Sequence, residues 1–406
     1  MTGQPALLGS MLLLLFVAAC ERSKPTPHEP APGASTTKSR GPLPKPRAPT
    51  LGDAEFRRLS ETLSEPDRGF ISDNYVSNET SYLQVVPFLQ RRPAKSSGVY
   101  LGVGPEQNFT YLAAARPGLA FIVDIRRGNL LLHLLYKAMF ELAESRSHFL
   151  CLLLARPYQR DSAPGARATI QEVIEHATLA PSSPRQFEKN HAQLLHHLAS
   201  VRGLSFDAAD RAELRRAHQA FFKGQLETRF SLKKNSTRKY ATLGQLLSAV
   251  DPDGHTSGFL ASERAFRFVV ALQKRNGVVP VVGDFAGTHA LKAIAGEIKR
   301  RQLSVAGFYV SNVEQYLLGD TGTWQRWMDN LAALPTDEQS WLARAYLDQG
   351  QAHPQQLPGH RSTSVLQPLE WVRSEQRRAQ HKSLLYLSRA HVLTERSGVA
   401  RRAQNR

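Results

Sequence analysis

The 406-residue chain carries 52 Lys and Arg against 35 Asp and Glu, a formal charge of +17, with 41% hydrophobic residues and four Trp. That length and apolar content are enough for a large core and for more than one domain, which excludes a wholly disordered chain. The positive charge favours contact with an anionic surface, but no nucleic-acid-binding motif accompanies it, so no nucleic-acid partner is expected.

Residues 1–20 read as a targeting segment rather than part of the fold, with Leu12 to Ala19 as its apolar stretch. This run is short for a bilayer-spanning helix. Val17-Ala18-Ala19-Cys20 resembles the lipobox of bacterial lipoproteins, although no Lys or Arg precedes the apolar run. The resemblance implies a mature chain that begins at a lipidated Cys20, takes the membrane as its partner and works in the cell envelope. Glu21 follows in place of the aspartate linked to inner-membrane retention, which implies the outer membrane. Eight of residues 21–50 are Pro, so residues 21–52 are expected to form a disordered tether. With Cys20 lipidated, Cys151 alone remains, and its setting in FLCLLLA reads as core.

The main domain is expected over 53–395. Residues 53–65 have helical spacing up to Pro66. In ISDNYVSNETSYLQVVPFL two readings stay open. Ser77 or Asn78 caps a helix through Leu83 to Leu89, or Asn74, Ser77, Asn78, Glu79 and Ser81 project over a ligand cleft. Val99 to Asn129 then reads as strand, glycine turn, short helix from Phe109 to Ala115, and buried strand from Ala120 to Ile125. Gly102 and Gly104 permit close approach of a ligand, and Asp124 stands about twenty residues later at the next strand tip. That pattern suits a nucleotide-like ligand, and equally a structural turn, since the third glycine of the dinucleotide fingerprint is missing.

Asn129 to Ala155 is strongly helical and apolar on most faces, which predicts burial, with His133 and Lys137 on one side. Residues 157–276 carry helical spacing at 168–178, 186–200, 207–224 and 261–275, and so predict a large helical insertion between strands. DPDGH lacks the acidic ligands of a calcium loop and reads as a turn, and His191, His196 and His197 lack zinc spacing, so no metal is assigned. The sheet resumes at Val278 with Asp284 at the strand end and a helix of about fifteen residues. A strand from Val305 to Val310 follows, with Ser311 and Asn312 at its tip. Four strand tips thus carry polar groups, and ligands of open parallel sheets bind at such tips. Beyond Gly319 a helix, a strand and a strand or loop entering a helix are expected. His360 and Arg361 sit in a Pro-Gly turn that could contact an anion, and residues 396–406 form a basic disordered tail.

In this order the motifs resemble the class I S-adenosylmethionine (SAM) dependent methyltransferase fold. LGVGP is similar to that fold's first glycine motif, VDI to its second, VVGDF to the motif whose acid lies near the adenine, and GFYVSNVEQYL to its fourth-strand pattern. VSNE, GVGPEQNF, VDIRRGN, GDFAG and YVSNVEQYL together also resemble a family of uncharacterised bacterial proteins. The resemblance covers roughly 70–155 and 260–320. It implies an α/β, Rossmann-like, mostly parallel sheet flanked by helices, with SAM as cofactor. Gly102, Gly104, Glu106, Asn108, Asp124, Ile125, Arg126, Asp284, Phe285 and Ser311 would shape the donor pocket. Glu79, Asn312 and Glu314 would lie near the reacting group, where a carboxylate serves as general base. A second class stays open: a non-catalytic binding or envelope-assembly lipoprotein that reuses the fold. An anionic envelope component is its expected ligand or partner.

Overall fold

The computed structural model describes residues 49–232, 239–348, 350–375 and 383–393. The leader with Cys20, the tether up to residue 48 and the tail at 396–406 lie outside the described residues. The tether's expected end is corrected, because Leu51 is 2% exposed and its N–H donates to the Arg275 carbonyl at 3.1 Å. The last residues assigned to it are therefore docked on the domain.

Six strands form one sheet: β1 Gly98–Gly102, β2 Leu119–Asp124, β3 Val278–Val282, β4 Ser304–Ser311, β5 Trp341–Leu347 and β6 Ser362–Pro368. Their order is β3-β2-β1-β4-β5-β6, parallel throughout except for β6, which runs antiparallel to β5. The fold is α/β. β1, β2 and β3 are buried at every residue, as apolar runs covered on both faces must be. Gly307 lets β4 meet β5 closely, since a Cβ there would lie 2.1 Å from the Trp341 ring. From β1 the chain builds outward to β3, then returns to the other side of β1 for β4. The order therefore reverses between β1 and β4, and a crevice opens at their carboxyl ends.

Fifteen α-helices surround the sheet among the described residues. They are α1 Asp53–Thr62, α2 Val86–Arg91, α3 Gln107–Ala115, α4 Arg127–Leu142, α5 Arg146–Leu153, α6 Ile170–Thr178, α7 Pro184–His196, α8 Ala208–Gly224, α9 Leu243–Leu247, α10 Glu263–Lys274, α11 Ala290–Arg300, α12 Val313–Leu317, α13 Thr321–Ala333, α14 Leu369–Glu375 and α15 Leu384–Arg389. None is long and apolar enough to cross a membrane. A helical region around 146–227 separates β2 from β3. α4 is buried on nearly all sides because it packs on β2 and β3 and also on α7, α8 and α10.

Three expectations change. The helix expected over Asn129 to Ala155 is two helices, because Ala143 turns extended (ψ 127°) and the Ser145 side chain caps α5 by accepting from the His148 N–H. The helix after β3 has 11 residues, since the chain first loops through 283–289. Neither Ser77 nor Asn78 caps a helix. A 3-10 turn at Tyr82–Val85 starts after Ser81 and leads into α2. The Ser77 N–H is drawn instead to the Glu106 carboxylate (3.1 and 3.2 Å), which leaves this loop across the strand ends.

Candidate functional site

A cleft of about 220 Å³ lies at the carboxyl ends of β1 to β4, where the strand order reverses. The loop after β1 forms one side. Gly104 takes φ +78°, a conformation that side chains resist, and its carbonyl accepts from His133 Nε2 at 2.9 Å. Asn108 braces the same loop from beneath, its Nδ2 2.9–3.0 Å from the carbonyls of Val103, Gly104 and Pro105. The Tyr100 hydroxyl donates to Asn108 Oδ1 at 2.8 Å, and a Cβ on Gly102 would lie 2.0 Å from that oxygen. Gly102 is therefore small to admit Asn108, and neither residue lines the cleft. Burial lowers the His133 pKa to about 4, so it serves the loop as a neutral donor.

At the tip of β2, Arg126 folds back on Asp124. Its Nε and Nη2 donate to the two carboxylate oxygens at 2.9 and 2.8 Å, and its N–H to Oδ1 at 3.0 Å. Arg126 Nη1 donates to the Asp73 carbonyl, which ties the β2 tip to the crossing loop. Both residues line the cleft, with Ile125, but much of the acceptor capacity of Asp124 is already used. Asp284, beyond β3, also lines it; one oxygen accepts from the Ala286 N–H (2.9 Å), the other from the exposed Arg68 (3.0 Å). Phe285 stacks on Trp327 at 5.2 Å and closes that wall.

β4 ends in a bulge at Ser311, which has φ +52°. This left-handed turn aims the Ser311 hydroxyl at Glu79, which accepts from it and, at 2.8 Å, from the Tyr309 hydroxyl. Ser311 and Asn312 line the cleft, while Glu79 is fully buried behind Ser311, and burial raises its pKa to about 7. Glu106 is also raised to about 7 by burial and is held by the Ser77 N–H outside the cleft lining. Glu314 is elsewhere: with 0% exposure it forms a salt bridge with the equally buried Arg344 at 2.8 Å and accepts from Trp327 Nε1 at 3.2 Å. It braces α12 against β5 and α13.

The cleft thus gathers Gly104, Asp124, Ile125, Arg126, Asp284, Phe285, Ser311 and Asn312 from the expected set. Gly102, Glu106, Asn108, Glu79 and Glu314 stand outside its lining. Sequence reasoning missed the aromatic wall of Phe70 and Tyr316, edge to face at 5.7 Å, and also Phe230 and Gln107. Tyr316 is more than half exposed on α12, where Glu314 and Leu317 are buried, and neither it nor Phe230 carried a signal in the sequence. The loop from Asn74 to Asn78 does border the cleft, with Asn74 at φ +50°. DPDGH is a turn in which Asp251 Oδ1 accepts the N–H groups of Asp253 and His255. Among the described residues no group of three His, Cys, Asp or Glu is placed to hold a metal. His360 and Arg361 line a wider cavity of about 620 Å³ that shares Asn78 with the cleft.

No curated protein matches the chain. One family model does, that of the Domain of unknown function (DUF7790), over residues 74–403.

Proposed function

We propose that this chain, which belongs to the DUF7790 family, is a lipid-anchored envelope protein whose methyltransferase-like α/β domain binds SAM or a related nucleoside-bearing ligand. The observation that carries the reading is the convergence of four strand tips on one cleft at the point where the strand order reverses. The positive φ of Gly104 supports it, because a side chain there would strain the loop that borders the ligand. Asp124 and Asp284 would face ribose and base hydroxyls and amines, and Phe70, Tyr316 and Phe285 offer apolar faces to a base. The volume is below the roughly 300–1,000 Å³ of ordinary small-molecule sites, so part of such a ligand projects from the mouth. When bound, SAM would supply a methyl group on a sulfonium for transfer to a nucleophile.

The membrane is the proposed partner, through lipid on Cys20, and the outer membrane the proposed location. An anionic envelope component would meet the basic surface, with the cavity beside His360 and Arg361 as its docking place. A second reading, a binding or assembly protein without catalysis, has one specific support. Of the three residues nominated near the reacting group only Asn312 lines the cleft, and Glu314 is neutralised by Arg344.

The test is isothermal titration of the protein with SAM and with S-adenosylhomocysteine. Micromolar binding that is lost in Asp124→Asn, with the fold intact by circular dichroism, is the expected result. No binding to a well-folded protein would refute it. Binding of both without methyl transfer to any envelope extract would favour the non-catalytic reading.

A further inference from the structure

We infer that Gln107 is a specificity-determining residue of the cleft, and that it selects a ligand carrying an amino or ammonium group; this rests on the cleft being the ligand site proposed above. Gln107 is 4% exposed at the start of α3 and lines the cleft. Its two amide atoms have different fates. Nε2 donates to the Tyr309 hydroxyl at 2.6 Å, whereas Oε1 is buried with no partner.

The chain behind Gln107 fixes that orientation. The Tyr309 hydroxyl donates its only proton to Glu79 Oε2 at 2.8 Å, and Ser311 donates to Oε1. Tyr309 then has only lone pairs left for Gln107, so the amide must turn its NH2 to Tyr309, which leaves the carbonyl of this cleft-lining residue without a partner. Glu79, which does not line the cleft, is thus a positioning residue that sets the polarity of Gln107 through Tyr309. An unmatched buried carbonyl is costly, so the ligand gains by supplying a donor there.

Two further residues of the lining have the same polarity. Asn74 Oδ1 is a second buried acceptor without a partner. Asp284 adds a carboxylate, one oxygen of which is covered by Arg68. The one buried cation of the lining, Arg126, has its Nε and Nη2 on Asp124 and its Nη1 on the Asp73 carbonyl. This part of the cleft therefore offers acceptors without partners although the chain as a whole is strongly basic. An anionic group would meet these acceptors with two of the five Arg126 N–H groups left to face it, whereas an amine would supply donors to Gln107 and to Asn74.

The test titrates the whole chain at pH 8 with two pairs of probes matched but for the amine. Methionine is compared with 2-hydroxy-4-(methylthio)butanoate, and adenosine with inosine. The wild type is expected to bind the amine member of at least one pair roughly ten- to a hundredfold more tightly, the range for a hydrogen bond to a charged group. Gln107→Met keeps the bulk and removes the acceptor, and the ratio should collapse towards one. Glu79→Gln should lower the same ratio, a readout that a merely structural role would leave alone. Asn74→Asp, at a part-exposed position where Asp tolerates the left-handed backbone, should raise it, and it decides the matter if Gln107→Met does not fold. Amine-selective binding of the methionine pair with no nucleoside bound would sustain the inference and refute the nucleoside reading. Nucleoside binding with ratios unchanged in Gln107→Met and Asn74→Asp would do the reverse. Failure of the folded wild type to bind any of the four probes overturns it.

Discussion

Glu79→Gln should change how stability depends on pH, not merely how large stability is. Burial raises the Glu79 carboxyl from 4.5 to about 7, against the Ser311 and Tyr309 hydroxyls that favour its charged form. An acid with a higher pKa in the folded state holds its proton more tightly there than in the unfolded chain. Its contribution is therefore most favourable below about pH 4.5 and declines as the pH rises through 7. The difference amounts to about 3 kcal/mol at 1.36 kcal/mol per pH unit. Glutamine at this position has no charge to bury, so that decline disappears. It does present one N–H to a hydroxyl that already points a donor inward, which costs about 1 kcal/mol. The variant should then be about as stable as wild type at pH 5, where the decline has already begun, and more stable by about 2 kcal/mol at pH 8. Glu106, also raised to about 7, owes part of its shift to the Glu79 charge, so its own decline shrinks in the variant and adds in the same direction. Urea unfolding followed by tryptophan fluorescence at half-unit steps from pH 5 to 8 measures it. A difference that stays constant across this range would refute the reasoning.

Three further outcomes follow from the packing. Arg344→Met strands the Glu314 charge, both partners being fully buried, and should cost about 3–5 kcal/mol; a urea-unfolding loss below about 1 kcal/mol would contradict a structural role for the pair. Gly307→Ala pushes a methyl into the Trp341 ring and should cost about 1–3 kcal/mol, seen as a lower urea midpoint with an unchanged slope. Cys151 is 1% exposed and burial pushes its thiol up to about 12. In a Cys20→Ser protein it should resist a maleimide until the chain unfolds, and rapid labelling under native conditions would show that its surroundings open.

The sheet was legible because β1 to β4 are apolar runs that end in a glycine, an acid or the Ser311-Asn312 pair, and the strand tips therefore marked the cleft as well. What the pattern could not show is on which side of a loop a polar residue acts. Asn108 and Glu106 follow the glycines as ligand contacts would, yet one braces the turn and the other captures the Ser77 N–H. Glu314 looked like a base near the cleft because its partner, Arg344, lies 30 residues away within the otherwise apolar strand β5. The Ser77 cap failed for the same reason, since a long-range acceptor outweighed the local helix signal. Phe70 and Phe230 reach the cleft from loops far apart in the chain, and no local spacing encodes that meeting. The antiparallel course of β6 likewise depends on its pairing with β5 and leaves no mark in its own residues.

The most direct measurement is a crystal structure of the protein soaked with S-adenosylhomocysteine. The expected density lies in the cleft between Gly104, Asp124, Asp284 and Ser311, with an amine near Gln107. A ligand bound elsewhere, or an empty cleft in a well-ordered crystal at saturating ligand, would contradict the proposal that this strand-tip cleft is the site.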